Sequence, residues 1–247
     1  MSVLLIRLAG PMQAWGTQSR FSVRDTGLEP SKSGVIGLLC AALGKPRDES
    51  VSENEGLPSL ADLAALKMAV RVDRPGTMAA DYHTAQNVIR ASSVPGRKPK
   101  LKDCEPSTRY YLADADFLVG LEGPLDLLRQ LDAALTDPVW PLYLGRKAFV
   151  PSTPVRVPNG LLPDGTLPDA LKDTPWQKRT SRDEPDQPLR IVEEVESDAR
   201  GDMRQDVPFN FVSAQRSFGT RQVRDLFWDV PENLIQESPL CTSLSSR

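Results

Sequence analysis

A single histidine, His83, is the only imidazole that the chain offers for proton transfer. A Ser-His-Asp triad would have to use it, and a metal site built from several histidines is excluded. Histidine ordinarily titrates near neutral pH, so the run Asp81-Tyr82-His83-Thr84 could move the proton of an RNA 2′-hydroxyl in a metal-independent cleavage. It could also bind nucleic acid by hydrogen bonding or stacking, or be structural. The residues alone leave these three interpretations open.

Two further segments place cations beside glycines or aromatic rings. Lys32 precedes Gly34 at the start of a predicted helix, where free N–H groups suit a backbone phosphate, although close helix packing explains the glycine equally well. Tyr143, Arg146 and Lys147 stand together around a glycine, a combination suited to base stacking and phosphate contact. Neither a GxGxxG nor a GxxxxGK[ST] motif is present, so nucleotide hydrolysis is not predicted.

Charge is unevenly distributed along the chain. The total is −3 and the sequence pI is about 5.4, which on its own argues against a nucleic-acid-binding protein. However, residues 90–109 hold six cations and two carboxylates, as do residues 1–47, whereas residues 48–66 hold five carboxylates and no cation. Such runs are usually solvated faces. Two separate basic segments flanked by Gly and Pro nevertheless favour a groove for a polyanion.

Length and composition limit the class of protein. A chain of 247 residues allows one elaborated domain or two small ones, and 22 prolines favour many irregular connections. No apolar run is long enough for a membrane helix, and the start of the chain has no secretory signal. Three scattered cysteines without a CxxC spacing support neither a disulfide framework nor a zinc site. The sequence predicts a soluble, cytoplasmic protein without a metal or cofactor.

The elements that would position these residues follow an α+β order. Residues 3–9 and 68–75 are predicted strands, and residues 110–121 are read as one further strand. Helices are predicted from Ser31 or Ser33 to Gly44, around residues 57–66, and from residue 125 to 135 after Pro124. A strand at either 141–144 or 189–195 would complete a ferredoxin-like βαββαβ unit.

Two other segments complete the predicted organisation. The basic residues at about 77–108 are expected to form a protruding arm, interpreted as a β-hairpin. Residues 1–150 would form the ferredoxin-like domain, and residues 151–247 a Pro-rich extension of loops and strands packed on it. Residues 158–165 carry two successive turn signals.

Several runs of residues resemble a known family. They are Leu8-Ala9-Gly10-Pro11-Met12-Gln13-Ala14-Trp15-Gly16, Ser19-Arg20-Phe21, Arg24-Asp25-Thr26, residues 30–39, residues 70–76, residues 82–84, residues 109–115 and residues 142–147. Together they resemble the CasD subunits of type I-E CRISPR Cascade complexes over roughly residues 3–155. The resemblance covers the later residues only loosely.

The resemblance implies an RRM/RAMP-type ferredoxin-like domain with a hairpin thumb, which grips the 5′ handle of the CRISPR RNA in antiviral defence. It implies a ribonucleoprotein complex in which the other Cascade subunits, especially the backbone and large subunits, are partners. It also implies a non-catalytic subunit with no catalytic residue, and the single histidine agrees with this. The alternatives are a metal-independent endoribonuclease that uses His83 with a lysine or tyrosine, an activity that the resemblance implies for the related type I-C member, and a protein-only scaffold.

The expected RNA-binding residues combine cations, aromatic rings and small polar groups. Phosphates are assigned to Arg20, Arg24, Lys32, Arg146 and Lys147, and splayed bases to Trp15, His83 and Tyr143. The full set is Gln13, Trp15, Gly16, Ser19, Arg20, Arg24, Lys32, Ser33, His83, Thr84, Arg109, Tyr143, Arg146 and Lys147.

Overall fold

Strands outnumber helices in the computed structural model, which describes residues 1–18, 22–89, 101–196, 200–213 and 215–237. The first half contains β1 (Ser2–Ala9), β2 (Met12–Gln13), β3 (Val23–Arg24), α1 (Lys32–Leu43), α2 (Leu60–Ala65), β4 (Lys67–Arg74), β5 (Thr77–Ile89), β6 (Leu101–Ala113), β7 (Asp116–Gly123) and α3 (Leu125–Thr136). The second half contains β8 (Arg156–Leu162), α4 (Leu167–Asp173), β9 (Trp176–Lys178), β10 (Leu189–Val195), β11 (Asp202–Asn210), β12 (Ser217–Trp228) and β13 (Ile235–Glu237). Short 3-10 turns cover Ser52–Asn54 and Glu232–Leu234.

The helix ends are set by local capping residues. The Ser31 side chain accepts a hydrogen bond from the backbone N–H of Gly34, and Gly44 ends α1 at a φ of 69°. Ser59 and Asp62 form a reciprocal capping box at α2. The predicted starts and ends of the first helix and the predicted α2 and α3 are therefore confirmed.

A seven-stranded sheet in the order β11-β12-β10-β4-β7-β1-β8 forms the centre of the molecule, and its neighbouring strands are antiparallel. Leu4, Ile6 and Leu8 of β1 face the core under α1 and α3, whereas Val3 and Leu5 face the core under α4. Because both faces of β1 are buried, its sequence is an almost continuous apolar run rather than an alternating one.

The closing strand of the predicted βαββαβ unit was placed wrongly at both candidate positions. Residues 141–144 form a loop, and residues 189–195 form β10, which pairs with β4 and β12. The strand beside β1 is β8, which overlaps the residues predicted as turns. Pro158, Asn159 and Gly160 lie in it, with Asn159 at a φ of 56°. Such residues are tolerated because β8 is an edge strand with an irregular register.

The residues predicted as one strand at 110–121 belong to two different sheets. Asp114, at a φ of 61°, turns the chain between β6 and β7. β6 pairs with β5 from Thr77 opposite Ala113 to Ile89 opposite Leu101, and also with β2 and β3. The expected hairpin arm thus has an antiparallel ladder, in which Asn87 is skipped. Residues 90–100, which carry most of the predicted basic cluster, lie outside the described residues.

The residues after 150 extend the main sheet. β10, β11 and β12 join it beside β4, while β9 and β13 form a separate parallel pair. Strands from both sides of residue 150 share one sheet. The domain boundary at residue 150 stays a prediction. Within the described ranges, no helix is both long and apolar enough to cross a membrane.

Candidate nucleic-acid interface

An open groove of about 670 Å³ lies beside α1, and we call it the α1 groove. Its aromatic residues are Trp15, Trp140, Tyr143, Phe211 and Phe218, and its charged residues are Lys45, Arg47, Lys147, Arg216 and Glu49. Lys45 and Glu49 form an ion pair of 2.8 Å. Among the described residues, the other three cations form no salt bridge. The groove therefore has aromatic walls and a net positive charge.

The loop of residues 143–147 forms one end of the α1 groove. Gly145 has a φ of 93°, and a Cβ there would lie 1.8 Å from the carbonyl oxygen of Ala14. Only glycine fits this close approach. The backbone N–H of Ala14 also donates to the carbonyl of Leu144 at 3.1 Å. This contact fixes Tyr143 and Lys147 at the groove.

Arg146 turns away from the groove towards the hairpin. Its guanidinium donates to the carbonyl of Tyr110 at 2.8 Å and lies 5.4 Å from the ring centroid of Phe149. Arg24 and Arg109 are paired neighbours on the parallel strands β3 and β6. We call Arg24, Arg109 and Arg146 the arginine cluster.

The arginine cluster has an excess of positive charge. Burial lowers the pKa of Arg146, and the nearby Arg109 and Arg24 lower it further, while Asp81 and Asp25 oppose this shift. No described carboxylate lies within salt-bridge distance of the three guanidinium groups. A bound anion would relieve the repulsion between them. The cluster is thus suited to a phosphate.

His83 lies on β5 opposite Ser107, on the same face as Asp81 and Arg109. Its Nδ1 is 3.5 Å from the Asp81 Oδ2, and 42% of its side chain is exposed. Thr84, the next residue along the strand, is exposed on the opposite face. The structure therefore brings His83 near the arginine cluster but directs Thr84 away from it.

The side chains of Gln13 and Trp15 are buried and hydrogen-bonded to each other. The Gln13 amide donates to the carbonyls of Leu8 and Ala115, both at 2.9 Å, and accepts from the Trp15 indole N–H at 3.1 Å. Trp15 is 2% exposed, and its ring is packed against Gly34. The ring has no free face for a base, so the stacking role predicted for Trp15 is corrected to a structural one in the groove floor.

Lys32 is also structural. It is 2% exposed, and its ammonium forms an ion pair of 2.9 Å with Glu194. Burial lowers the pKa of Lys32, and the attraction of Glu194 opposes that shift. The backbone N–H of Lys32 donates to the Asp206 Oδ2 at 2.8 Å, so a carboxylate already occupies the start of α1. The predicted phosphate contact of Lys32 is therefore corrected.

The remaining predicted residues divide between the groove and the undescribed part of the chain. Gly16 and Ser33 line the α1 groove with Tyr143 and Lys147. Ser19 and Arg20 lie outside the described residues. The sequence interpretation missed Arg47, Trp140, Phe211, Arg216 and Phe218. Arg47 was counted in the first basic segment, but no local pattern marked the aromatic residues as neighbours of α1.

Cys40 is a buried free thiol beside the α1 groove. Burial raises the pKa of the Cys40 thiol to about 12, which keeps it protonated and unreactive. The described part of the chain contains no group of three or more His, Cys, Asp or Glu residues that could hold a metal ion.

Comparison with known proteins shows the family of this chain. The model of the family described as "CRISPR-associated protein (Cas_Cas5)" matches residues 3–224. The chain belongs to the Cas5 family. Over 158 residues it is 35% identical to the CRISPR system Cascade subunit CasD of Escherichia coli (strain K12), a match that covers 60% of this chain and 66% of CasD, just under two thirds.

Two solved structures resemble this Cas5-family chain over nearly its whole length. A structure described as "Crystal structure of Cas protein" is 40% identical, with a TM-score of 0.71, and the match covers 96% of this chain and 99% of that one. A chain of a "CRISPR RNA-guided surveillance complex" is 34% identical, with a TM-score of 0.70, and the match covers 95% of this chain and 93% of that one. The mixed α/β architecture is thus that of known Cas proteins.

Proposed function

We propose that this Cas5-family chain is a non-catalytic, CRISPR RNA-binding subunit of a Cascade surveillance complex that caps the 5′ handle of the RNA. Its similarity to CasD and to a chain of an RNA-guided surveillance complex supports this proposal. The other Cascade subunits, especially the backbone and large subunits, would be its partners.

The topology supports a ferredoxin-like domain with a thumb. Along the chain, β1, α1, β4, β7, α3 and β8 follow the βαββαβ order. In the sheet, the four strands lie in the order β8-β1-β7-β4. The hairpin of β5 and β6 interrupts the connection between β4 and β7, which is where the thumb would leave the domain.

One observation carries the RNA-binding proposal: the 143–147 loop joins the α1 groove to the arginine cluster. Tyr143 and Lys147 line the groove, whereas Arg146, which lies between them in this loop, belongs to the cluster. Single-stranded RNA needs cations along its backbone and aromatic faces for its unstacked bases. We therefore assign phosphates to Arg24, Arg109, Arg146 and Lys147, and a base to Tyr143. His83 adds a hydrogen-bonding group at the hairpin.

The test replaces the arginine cluster with glutamines (R24Q, R109Q and R146Q together). Binding of a synthetic single-stranded RNA with the 5′-handle sequence is measured by fluorescence anisotropy at several salt concentrations. The slope of log affinity against log salt should flatten by about 2, because each lost phosphate contact contributes about 0.7. A variant with an unchanged slope would contradict the proposed path.

The matched control removes the same charge elsewhere. Lys67, Arg129 and Arg224 are about half exposed, each pairs with a carboxylate, and none of them lines the groove. Their triple glutamine variant should retain the parental slope. Incubation of the parent protein with repeat RNA in EDTA tests the non-catalytic role. Cleavage at a defined site that His83→Ala abolishes would instead establish the endoribonuclease alternative.

A further inference from the structure

We infer that the turn between β11 and β12 forms a base-binding wall of the α1 groove, in which Phe211 and Phe218 stack on unpaired RNA bases and Arg216 contacts a phosphate. This inference rests on the proposed RNA-binding function and assigns part of it to three residues outside the set expected from the sequence. The three side chains all line the groove, whose other aromatic residues include Trp140 and Tyr143.

Two hydrogen bonds connect described residues of this turn. The backbone N–H of Val212 donates to the Asn210 Oδ1 at 2.7 Å, and the N–H of Gln215 donates to the carbonyl of Val212 at 3.0 Å. Phe211 is partly buried against the main core and approaches Gly37 of α1. Its ring is thus positioned before any ligand binds.

A buried ionic network fixes the turn relative to α1. Asp206 of β11 accepts two hydrogen bonds from Arg221 of β12, at 2.7 and 3.0 Å, and one from the backbone of Lys32. Glu194 of β10 pairs with Lys32 at 2.9 Å and lies 3.6 Å from Arg221. Both strands are therefore tied to the start of the helix that forms the groove floor. A preorganised wall loses little entropy when it binds a ligand.

The chemistry of the groove favours RNA bases over an apolar protein segment. Arg47, Lys147 and Arg216, which form no salt bridge with a described residue, suit a polyanion, and the groove carboxylate Glu49 is already paired with Lys45. The 143–147 loop also connects the groove to the arginine cluster, because Tyr143 and Lys147 line the groove and Arg146 belongs to the cluster. An RNA strand can therefore contact both surfaces, with its bases on the rings and its phosphates at the cations.

The experiment compares Phe211→Leu and Phe218→Leu with Phe227→Leu. Leucine keeps an apolar side chain in the wall but removes the aromatic face. Phe227 lies on the same strand as Phe218, is 66% exposed and does not line the groove. Affinity for the single-stranded 5′-handle RNA is measured with each full-length variant, and its thermal melting is compared with that of the parent.

Each groove variant should bind the RNA at least 5-fold more weakly with an unchanged salt slope, because stacking carries about 1–3 kcal/mol per base. Phe227→Leu should bind like the parent. Arg216→Gln should flatten the slope by about 0.7.

Two outcomes would overturn the inference, and they are distinguishable. If the parent binds the RNA but both groove variants bind within twofold of it, the wall does not hold bases and the proposed function survives. If those variants keep RNA binding but lose association with another Cascade subunit, the groove is a protein-docking site. Failure of the parent to bind RNA would instead overturn the proposed function itself.

Discussion

Replacing Gly145 by alanine tests the close approach that connects the two halves of the candidate interface. The substitution introduces two costs. A left-handed φ of 93° disfavours any residue with a Cβ by about 1–2 kcal/mol. The new Cβ would also lie 1.8 Å from the Ala14 oxygen, whereas real Cβ contacts are essentially never under 3.0 Å. The 143–147 loop must therefore separate from Ala14.

That separation breaks a hydrogen bond and strains the packing. Loss of the bond from the Ala14 N–H to the Leu144 carbonyl costs about 1 kcal/mol, and overpacking adds about 1–3 kcal/mol. The expected loss in the free energy of unfolding is thus about 3–6 kcal/mol. RNA affinity should also fall in the folded variant, because Tyr143, Arg146 and Lys147 move with the loop.

Gly56→Ala is the matched control for Gly145→Ala. Gly56 has a φ of 79°, but nothing lies within 4 Å of a Cβ built there. Urea denaturation of this variant should show only the conformational cost of about 1–2 kcal/mol, with unchanged RNA binding. Equal destabilisation of the two variants would refute the argument that contact with Ala14 positions the loop.

Two further substitutions test the ionic residues. Lys32→Met should lower the free energy of unfolding by about 3 kcal/mol, because it leaves Glu194 partly buried without its ammonium partner, yet the salt slope of RNA binding should not change; a flatter slope would restore Lys32 as a phosphate ligand. Asp183 is a pH test: burial raises its pKa, but hydrogen bonds from Thr180, Arg179 and Arg74 lower it to about 2. Because this folded-state pKa lies below the ordinary value, Asp183 stabilises the protein above about pH 4 and loses this effect as the pH falls towards 2. Asp183→Asn should therefore be less stable by about 1–2 kcal/mol at pH 7, with a difference that shrinks on acidification, and a constant difference in denaturation between pH 7 and pH 3 would contradict the assignment.

Local sequence patterns predicted the elements whose causes are local. The apolar run of β1, the Ser31 and Gly44 caps of α1 and the leucine spacing of α3 each contain their own signal. β8, the strand that completes the four-stranded unit, has no such local signal. It contains proline and glycine, which an edge strand tolerates. Its position depends on pairing with β1, which the sequence of β8 does not show.

The same distinction explains which site residues were predicted. Arg146, Tyr143 and Lys147 stand in one short run, so their types and spacing were visible. Lys32 looked like a phosphate ligand because its acidic partners lie 162 and 174 residues away along the chain. Phe211 and Phe218 become neighbours of α1 only when the last strands of the sheet are in place.

Glu194 and Asp206, the acidic partners of Lys32, are synthesised long after Lys32 itself. A ribosome that adds about 5–20 residues each second needs roughly 10–30 s to pass from Lys32 to Glu194. During that interval, the start of α1 lacks the carboxylates that later cover it, and the groove lacks the wall contributed by β11 and β12. A nascent or truncated chain would therefore carry the N-terminal Cas5 signature without a finished groove. If the groove binds RNA as proposed, competence to hold RNA would arise only after β11 and β12 have been synthesised.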